Sequence, residues 1–192
     1  MKKSSELHHP IANLIKNRRS LRAYDPRLIE QEKIHSLFEA VRWAPSSSNE
    51  QPWMYLYATK DQTELWQKLF DCLNEGNKIW AKDAPLLILS MARKSFERND
   101  LPNGYAHYDL GAANSFLALQ AVELGMQLRQ MGGYSQATAR ELLNISDAFL
   151  LGAMIAVGYP GNPDKLPENL RLRELAPRER ILQSEFAINQ IF

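Results

Sequence analysis

The chain has 192 residues, of which 45% are hydrophobic and 23% charged, and its formal net charge is +1. This length fits one domain with a sizeable core, and the balanced charge gives no reason to expect nucleic acid or an acidic membrane surface as a partner. One cysteine, Cys72, excludes an internal disulfide, and no apolar run approaches the roughly 18 residues of a membrane span, so we expect a soluble, cytoplasmic protein.

The hydrophobic pattern predicts helices and strands mixed along the chain. The first half of the chain begins with a helix ending near Asn17, a helix through 34–41 that Pro45 stops, and a strand at 53–59. A helix opened by an Asp61/Glu64 capping box and a strand at 85–92 follow. The second half has a long helix at 105–124 with Gly125 as its C-cap, a helix from Ser135 to Leu143, and a strand that ends the segment 148–160. The order is not a strict βαβ series and favours an α+β fold.

Several common site motifs are absent from the sequence. There is no G-x-G-x-x-G after a strand, no G-x-x-x-x-G-K-[ST] phosphate loop, no C-x-x-C and no G-x-S-x-G. His8, His9, His35 and His107 lack the spacing of metal ligands, so we expect no metal site.

Two polar stretches stand out from the predicted core. Arg18, Arg19 and Arg22 surround Ser20, and guanidinium groups with a hydroxyl bind phosphate well, although a solvated basic turn fits the same residues. The loop Pro45–Asn49 is rich in serine, and Gln51 follows it. Its amide and hydroxyl groups suit the polar edge of a planar heterocycle, although an ordinary connecting loop has the same composition.

These stretches, NRRSLRAYDP and APSSSNEQPW, resemble the signature of the nitroreductase family of FMN-dependent oxidoreductases. The later order of DAPLLILS, DLGAANSFLALQAVELGMQ, GGY, MIAVGYP and an arginine-rich tail extends the resemblance over nearly the whole chain. The resemblance implies a central mixed, mostly antiparallel sheet wrapped by helices. It also implies an intertwined homodimer that binds two FMN molecules at its interface.

The resemblance also implies a set of FMN contacts. At the phosphate and ribityl chain they are Arg18, Arg19 and Ser20, with Arg178 and Arg180 also at the phosphate. Around the flavin ring they are Arg22 at the N1–O2 edge, Asn77 at the pyrimidine edge, and Gly132 and Gly133 near N5. The other subunit gives a loop with Pro45, Ser46, Ser47, Asn49 and Gln51. Glycines allow close approach of a ligand or a positive φ, but Gly132 and Gly133 also fit a plain turn.

The chain departs from some family members at one flavin contact. Trp80 stands where they carry a second lysine, for which Lys78 or Lys82 are possible substitutes. The chain is also short for the family, which predicts a reduced substrate lid. Phe96, Tyr105, His107 and Tyr108 are candidates for the substrate side, with lid packing or plain surface as the alternative.

The implied activity is a ping-pong reaction in which NADH or NADPH gives hydride to flavin N5 and a small acceptor, such as a nitroaromatic or a quinone, then takes the electrons. No catalytic side chain is required, because the cofactor carries the chemistry. A cation near N1–O2 favours the reduced flavin, so Arg22 is expected to ease reduction. The alternatives are flavin destruction, dehalogenation, or a flavin-binding module without turnover.

The domain prediction is a single FMN-binding domain, 1–192, with 161–192 as a C-terminal extension that packs on the partner subunit. After Pro160 the apolar side chains no longer form a helical stripe: Ile181, Leu182, Phe186, Ile188, Ile191 and Phe192. Exposed together, they would form a patch too large for a typical monomer, which predicts a homodimer.

Overall fold

The computed structural model describes residues 2–191, so Phe192 of the predicted tail lies outside the described part of the chain. Its strands are β1 Lys3–Ser4, β2 Trp53–Thr59, β3 Leu86–Arg93, β4 Gln127–Met131, β5 Phe149–Gly158 and β6 Arg180–Ile181. Its helices are α1 Asn13–Asn17, α2 Gln31–Arg42, α3 Thr63–Asp71, α4 Glu75–Ala81, α5 Ala106–Glu123, α6 Gln136–Leu142 and α7 Glu168–Leu175. The expected α+β class is confirmed.

Four strands form the central sheet in the order β2-β3-β5-β4. Its three pairings are all antiparallel, and Leu89 pairs with Met154 at its centre while Met131 pairs with Met154 from the other side. β4 is therefore an edge strand, and one of its edges has no strand partner among residues 2–191. The short strands β1 and β6 pair with each other and join the two chain ends.

Helices cover both faces of this sheet because the central strand β3 is apolar on both sides. Leu87 and Leu89 pack on one face with the core residues of α3 and α4, while Leu86 and Ile88 pack on the other with those of α2 and α5. Among residues 2–191 no helix is long and apolar enough to cross a membrane.

Most predicted elements lie where the sequence places them. β2 covers the predicted strand, α5 covers the long helix, and Gly125 has a φ of 74° after it, as a C-cap glycine should. The predicted capping box was wrong: Gln62, not Asp61, is the N-cap of α3, and no side chain caps that helix. Helices α4 and α7 were not predicted, because α4 is short and α7 has little apolar periodicity.

Candidate functional site

The arginine-rich segment Asn17–Arg22 runs along the open edge of β4. Side chains of β4 bind its backbone: Gln127 Oε1 accepts a hydrogen bond from Arg19 N at 2.7 Å, and Gln127 Nε2 donates to Asn17 O at 3.2 Å. Arg129 Nη1 donates to Ser20 O at 2.8 Å. An irregular segment thus lies where a further strand would pair with β4, and its Arg18 and Ser20 line a cleft.

Helix α7 fixes the other side of this segment through the buried carboxylate of Glu174. Its Oε1 accepts from the backbone N–H groups of Arg22 and Ala23 at 2.7 and 2.9 Å. Its Oε2 lies 3.5 Å from Arg22 Nη1 but has no hydrogen-bond partner among residues 2–191. A buried carboxylate therefore links the C-terminal helix to the N-terminal motif across about 150 residues of sequence.

Four arginines gather beside the motif: Arg18, Arg19, Arg178 and Arg180. Arg178 donates to the carbonyls of Lys16 and Arg18, and Arg19 donates to the carbonyls of Glu174 and Ala176, so these two hold the chain ends together. None of the four forms an ion pair with a side chain of residues 2–191.

The positive charge of this group is concentrated enough to affect its members. Burial, and then the nearby charge of Arg180, lowers the pKa of Arg18. Burial and the charges of Arg180, Arg19 and Arg18 lower the pKa of Arg178. Like charges repel, and an anion bound here would relieve this repulsion.

A cleft of about 420 Å³ lies between α1, α5 and β4, and its size falls within the usual range of small-molecule sites. Arg18 and Ser20 contribute its polar groups at one side, and Arg18 Nη1 donates to Ser20 Oγ at 3.1 Å. Ser115 and Gln130 contribute further polar groups, and the remaining lining is apolar: Ile15, Ala118, Leu119 and Leu128.

The glycine turn after β4 is tied to the start of α4. Gly133 O accepts hydrogen bonds from Asn74 N at 3.1 Å and from Asn77 Nδ2 at 3.0 Å. A Cβ built at Gly133 would overlap Asn74 Nδ2 and lie 2.8 Å from Asn77 Nδ2, whereas one at Gly132 meets no other segment of residues 2–191 within 4 Å. Neither glycine has a positive φ. The packing of the protein itself thus requires a glycine at position 133. At position 132 the space around the backbone is free of other described segments.

Arg129 lies beside Trp80, at the corner for which the sequence suggested Lys78 or Lys82 as substitutes for a lysine. Trp80 is buried, and the Arg129 guanidinium lies over its ring at 5.7 Å. Lys78 instead pairs with Glu75 at 3.0 Å, and Lys82 is exposed, so neither expected substitute is directed into this corner by the contacts it makes. Burial, and then the charge of Arg22, lowers the pKa of Arg129.

The second predicted motif lies at the opposite end of α5. Ser47 N donates to the buried carboxylate of Asp109 at 3.2 Å, and Ser46 Oγ accepts from Gln51 N at 2.9 Å. Asn49 and Gln51 have φ values of 55° and 50°. Along α5 the cleft residues Ser115 and Ala118 follow Asp109 by roughly 9 and 14 Å, and no residue of the Pro45–Gln51 loop lines the cleft of the same chain among residues 2–191.

The aromatic candidates for the substrate side cluster with this loop rather than with the cleft. Tyr105 and Tyr108 are 58% and 79% exposed at the start of α5, and His107 is exposed between them. Phe96 lies in the preceding loop under the Arg98 guanidinium. One chain therefore carries two separate groups: the arginines and the cleft at one end of α5, and the serine-rich loop and aromatic residues at the other.

Sequence reasoning missed three residues that hold the motif in place, namely Gln127 and Arg129 of β4 and Glu174 of α7. Gln127 and Arg129 are two residues apart in QLRQM, a spacing that could have indicated a strand with polar groups on one side. No local signal marks Glu174, because its role comes from contacts with residues far away in the sequence.

The fold and the site together define an α+β protein with a ligand-sized cleft beside a group of arginines at the edge of an antiparallel sheet. Comparison with known proteins identifies its family. The model of the nitroreductase family matches residues 15–159, and the chain belongs to this family.

Individual relatives agree with this assignment. A crystal structure described as an oxidoreductase containing FMN superposes with a TM-score of 0.92 at 34% identity, over 100% of this chain and 98% of that one. A nitroreductase family protein from Clostridium difficile 630 gives a TM-score of 0.72 at 26% identity, over 93% and 97%. A protein of Archaeoglobus fulgidus with the provisional name NADH dehydrogenase/NAD(P)H nitroreductase is 28% identical over 77% of this chain and 83% of its own length.

Proposed function

We propose that this protein is an FMN-dependent oxidoreductase that uses NADH or NADPH to reduce a small-molecule acceptor, such as a nitroaromatic or a quinone, by a ping-pong mechanism. The observation that carries the proposal is a group of arginines that form no ion pair with a side chain of residues 2–191, Arg18, Arg178 and Arg180, beside a cleft of about 420 Å³. Family membership and the FMN-containing relative support the choice of ligand.

The side chains present suit the parts of FMN. Arg18, Ser20 and Arg180 would hold the phosphate, because guanidinium and hydroxyl groups donate to its oxygens. Arg22, Asn77 and Arg129 would face the polar edge of the ring system, and the open Gly132 backbone would lie against its face. Arg19 and Arg178 act through the backbone carbonyls they bind, and so keep the phosphate-binding segment in shape.

FMN supplies the redox chemistry when bound: it accepts a hydride from the nicotinamide at N5 and passes the electrons on. The protein's own residues need only bind, orient and shield it. No side chain is assigned as a proton donor, since none of the described cleft residues is an acid or a histidine.

We further propose that the site is completed in a cytoplasmic homodimer of single-domain chains, 1–192. The serine-rich loop Pro45–Gln51 and the aromatic group at the start of α5 lie away from their own cleft, and so would serve the cleft of the partner. The apolar tail supports the same proposal: Phe186 and Ile188 are 62% and 46% exposed in the single chain. On this proposal the end of the extension 161–192, beyond the part that α7 and β6 hold against their own chain, packs on the partner subunit.

The test is an absorption spectrum of the purified protein before and after each nicotinamide is added without oxygen. We expect a yellow protein that bleaches with NADH or NADPH and recovers its colour when a quinone or nitroaromatic is added. A yellow protein that never bleaches would favour a flavin-binding module. A colourless protein that takes up no added FMN would reject the proposed function.

A further inference from the structure

Two arginines and one carboxylate meet where three segments of the site converge. Arg22 ends the N-terminal motif, Arg129 lies in β4 just before the glycine turn, and Glu174 comes from α7. Trp80, which the Arg129 guanidinium covers, lies one turn after Asn77, and Asn77 binds Gly133 O. From β4, the strand that leads into the glycine turn, Arg129 therefore contacts both the N-terminal motif and α4.

The two arginines differ in how much of their charge is already balanced. The Arg22 side chain is 12% exposed, and its guanidinium lies 3.5 Å from the Glu174 carboxylate, whose side chain is 3% exposed. Opposite charges at this distance largely cancel for a third group nearby. Among residues 2–191 Arg129 forms no ion pair, and the Glu174 charge reaches it only from beyond ion-pair distance, so its charge is less fully balanced than that of Arg22.

Arg129 also keeps donors for a ligand. A guanidinium carries five N–H groups, and the described contacts of Arg129 use one of them, on Ser20 O at 2.8 Å. The Trp80 ring and the Ser20 carbonyl fix its position from two sides, so little side-chain entropy is lost when it binds a further acceptor.

We propose that Arg129, and not Arg22, supplies the net positive charge at the electron-rich edge of bound FMN, and that Glu174 is a positioning residue that cancels the charge of Arg22 while holding the motif backbone. This inference rests on the proposed function. Reduced FMN carries more negative charge than oxidised FMN, so a net cation at this edge binds the reduced form more tightly and raises the midpoint potential.

The experiment measures the midpoint potential of bound FMN and its dissociation constant in four variants of the full chain. Arg129→Gln should weaken the binding of reduced FMN about tenfold more than the binding of oxidised FMN. This difference lowers the two-electron midpoint potential by about 30 mV. Glu174→Gln keeps an oxygen for the two backbone N–H groups but removes the negative charge, so the potential should rise. The double variant Arg22→Gln/Glu174→Gln removes one charge of each sign, and its potential should stay close to wild type.

The control is Arg171→Gln, which removes a positive charge from the same helix as Glu174 but from a surface pair with Glu168. Arg171→Gln should leave the midpoint potential unchanged. That result would show that the net charge of the protein does not cause the shifts in the other variants. Loss of FMN binding in Arg129→Gln protein that melts normally would also support the inference.

A wild-type midpoint potential in FMN-loaded Arg129→Gln would overturn the inference. A double variant whose potential falls as far as that of Arg129→Gln would also overturn it. If Arg129→Gln does not fold, an unchanged potential in Glu174→Gln overturns it instead. Failure of the proposed function is distinguishable, because wild-type protein would then bind no FMN at all.

Discussion

The two glycines after β4 allow the protein's own packing to be separated from its contact with the cofactor. A methyl group at Gly133 overlaps Asn74 and lies 2.8 Å from Asn77 Nδ2, whereas one at Gly132 meets no other segment of residues 2–191 within 4 Å. Gly132→Ala and Gly133→Ala are therefore a matched pair: the same chemical change one residue apart, with only one of them crowded in the protein without cofactor.

The expected effects on stability follow from the contacts. Gly133→Ala displaces Asn74, whose Oδ1 caps α4 by accepting from Asn77 N, and strains the Asn77–Gly133 hydrogen bond. A lost cap and a weakened hydrogen bond together cost roughly 1–3 kcal/mol, which lowers the Tm of a chain this long by roughly 2–12 °C. Gly132→Ala has no positive φ to maintain and should stabilise the apoprotein by about 0.4–1 kcal/mol, through the unfolded state.

The effects on the cofactor should be the reverse. On the proposed placement the Gly132 backbone approaches flavin N5, so a methyl group there crowds the ring. Gly132→Ala should bind FMN at least tenfold more weakly, or be bleached by NADH or NADPH at least tenfold more slowly in stopped flow, while melting of the flavin-free form is unchanged or improved. Wild-type binding and bleaching in Gly132→Ala would refute the placement of the flavin's reactive edge.

Three further outcomes are expected. Arg18→Ala should weaken FMN binding by roughly 1.5–3 kcal/mol, the scale of a charge-assisted hydrogen bond; titration of the apoprotein measures it, with Arg171→Ala as control, and an unchanged affinity rejects the phosphate assignment. Deletion of residues 184–192 should weaken the dimer in sedimentation; an equally stable dimer would contradict the tail's proposed role. A hydrogen bond from Tyr159 lowers the pKa of Glu30 to about 2, so its stabilisation is present above pH 4.5 and lost as pH falls towards 2; Glu30→Gln should flatten the Tm over this range, and an unaltered pH profile would count against it.

Elements with strong local patterns could be predicted from the sequence, and elements defined by distant contacts could not. β2 was predictable because its aromatic residues favour a strand, and α5 because its apolar run is long and Gly125 ends it. In α7, by contrast, Leu170 is buried while Leu172 and Leu175 are more than half exposed, so the helix has no apolar stripe to detect.

The same distinction applies to the site. The clustering of Arg18 and Arg22 around Ser20 suggests an anion site without any knowledge of the fold, although a solvated basic turn fits the same residues. The sequence could not indicate that Arg22 is paired with Glu174, that Arg178 is bound to backbone carbonyls, or that Arg129 covers Trp80. Each of these facts decides how much charge a ligand meets, and each depends on residues about 50 to 160 positions apart.

Both ends of the chain meet at the arginine group, and this explains why the dimer and the cofactor site are expected to depend on each other. β1 pairs with β6, and Arg178 binds the carbonyls at the end of α1, so the tail is anchored beside the motif. The same region leaves apolar side chains uncovered: Ile11 and Ile15 around α1 are 42% and 51% exposed, and Phe186 is 62% exposed. A partner that covers these groups would remove apolar surface from water next to the arginines proposed to bind the phosphate. Because the tail carries both the arginines Arg178 and Arg180 and the exposed Phe186, a loosened dimer should also bind the proposed FMN phosphate less tightly.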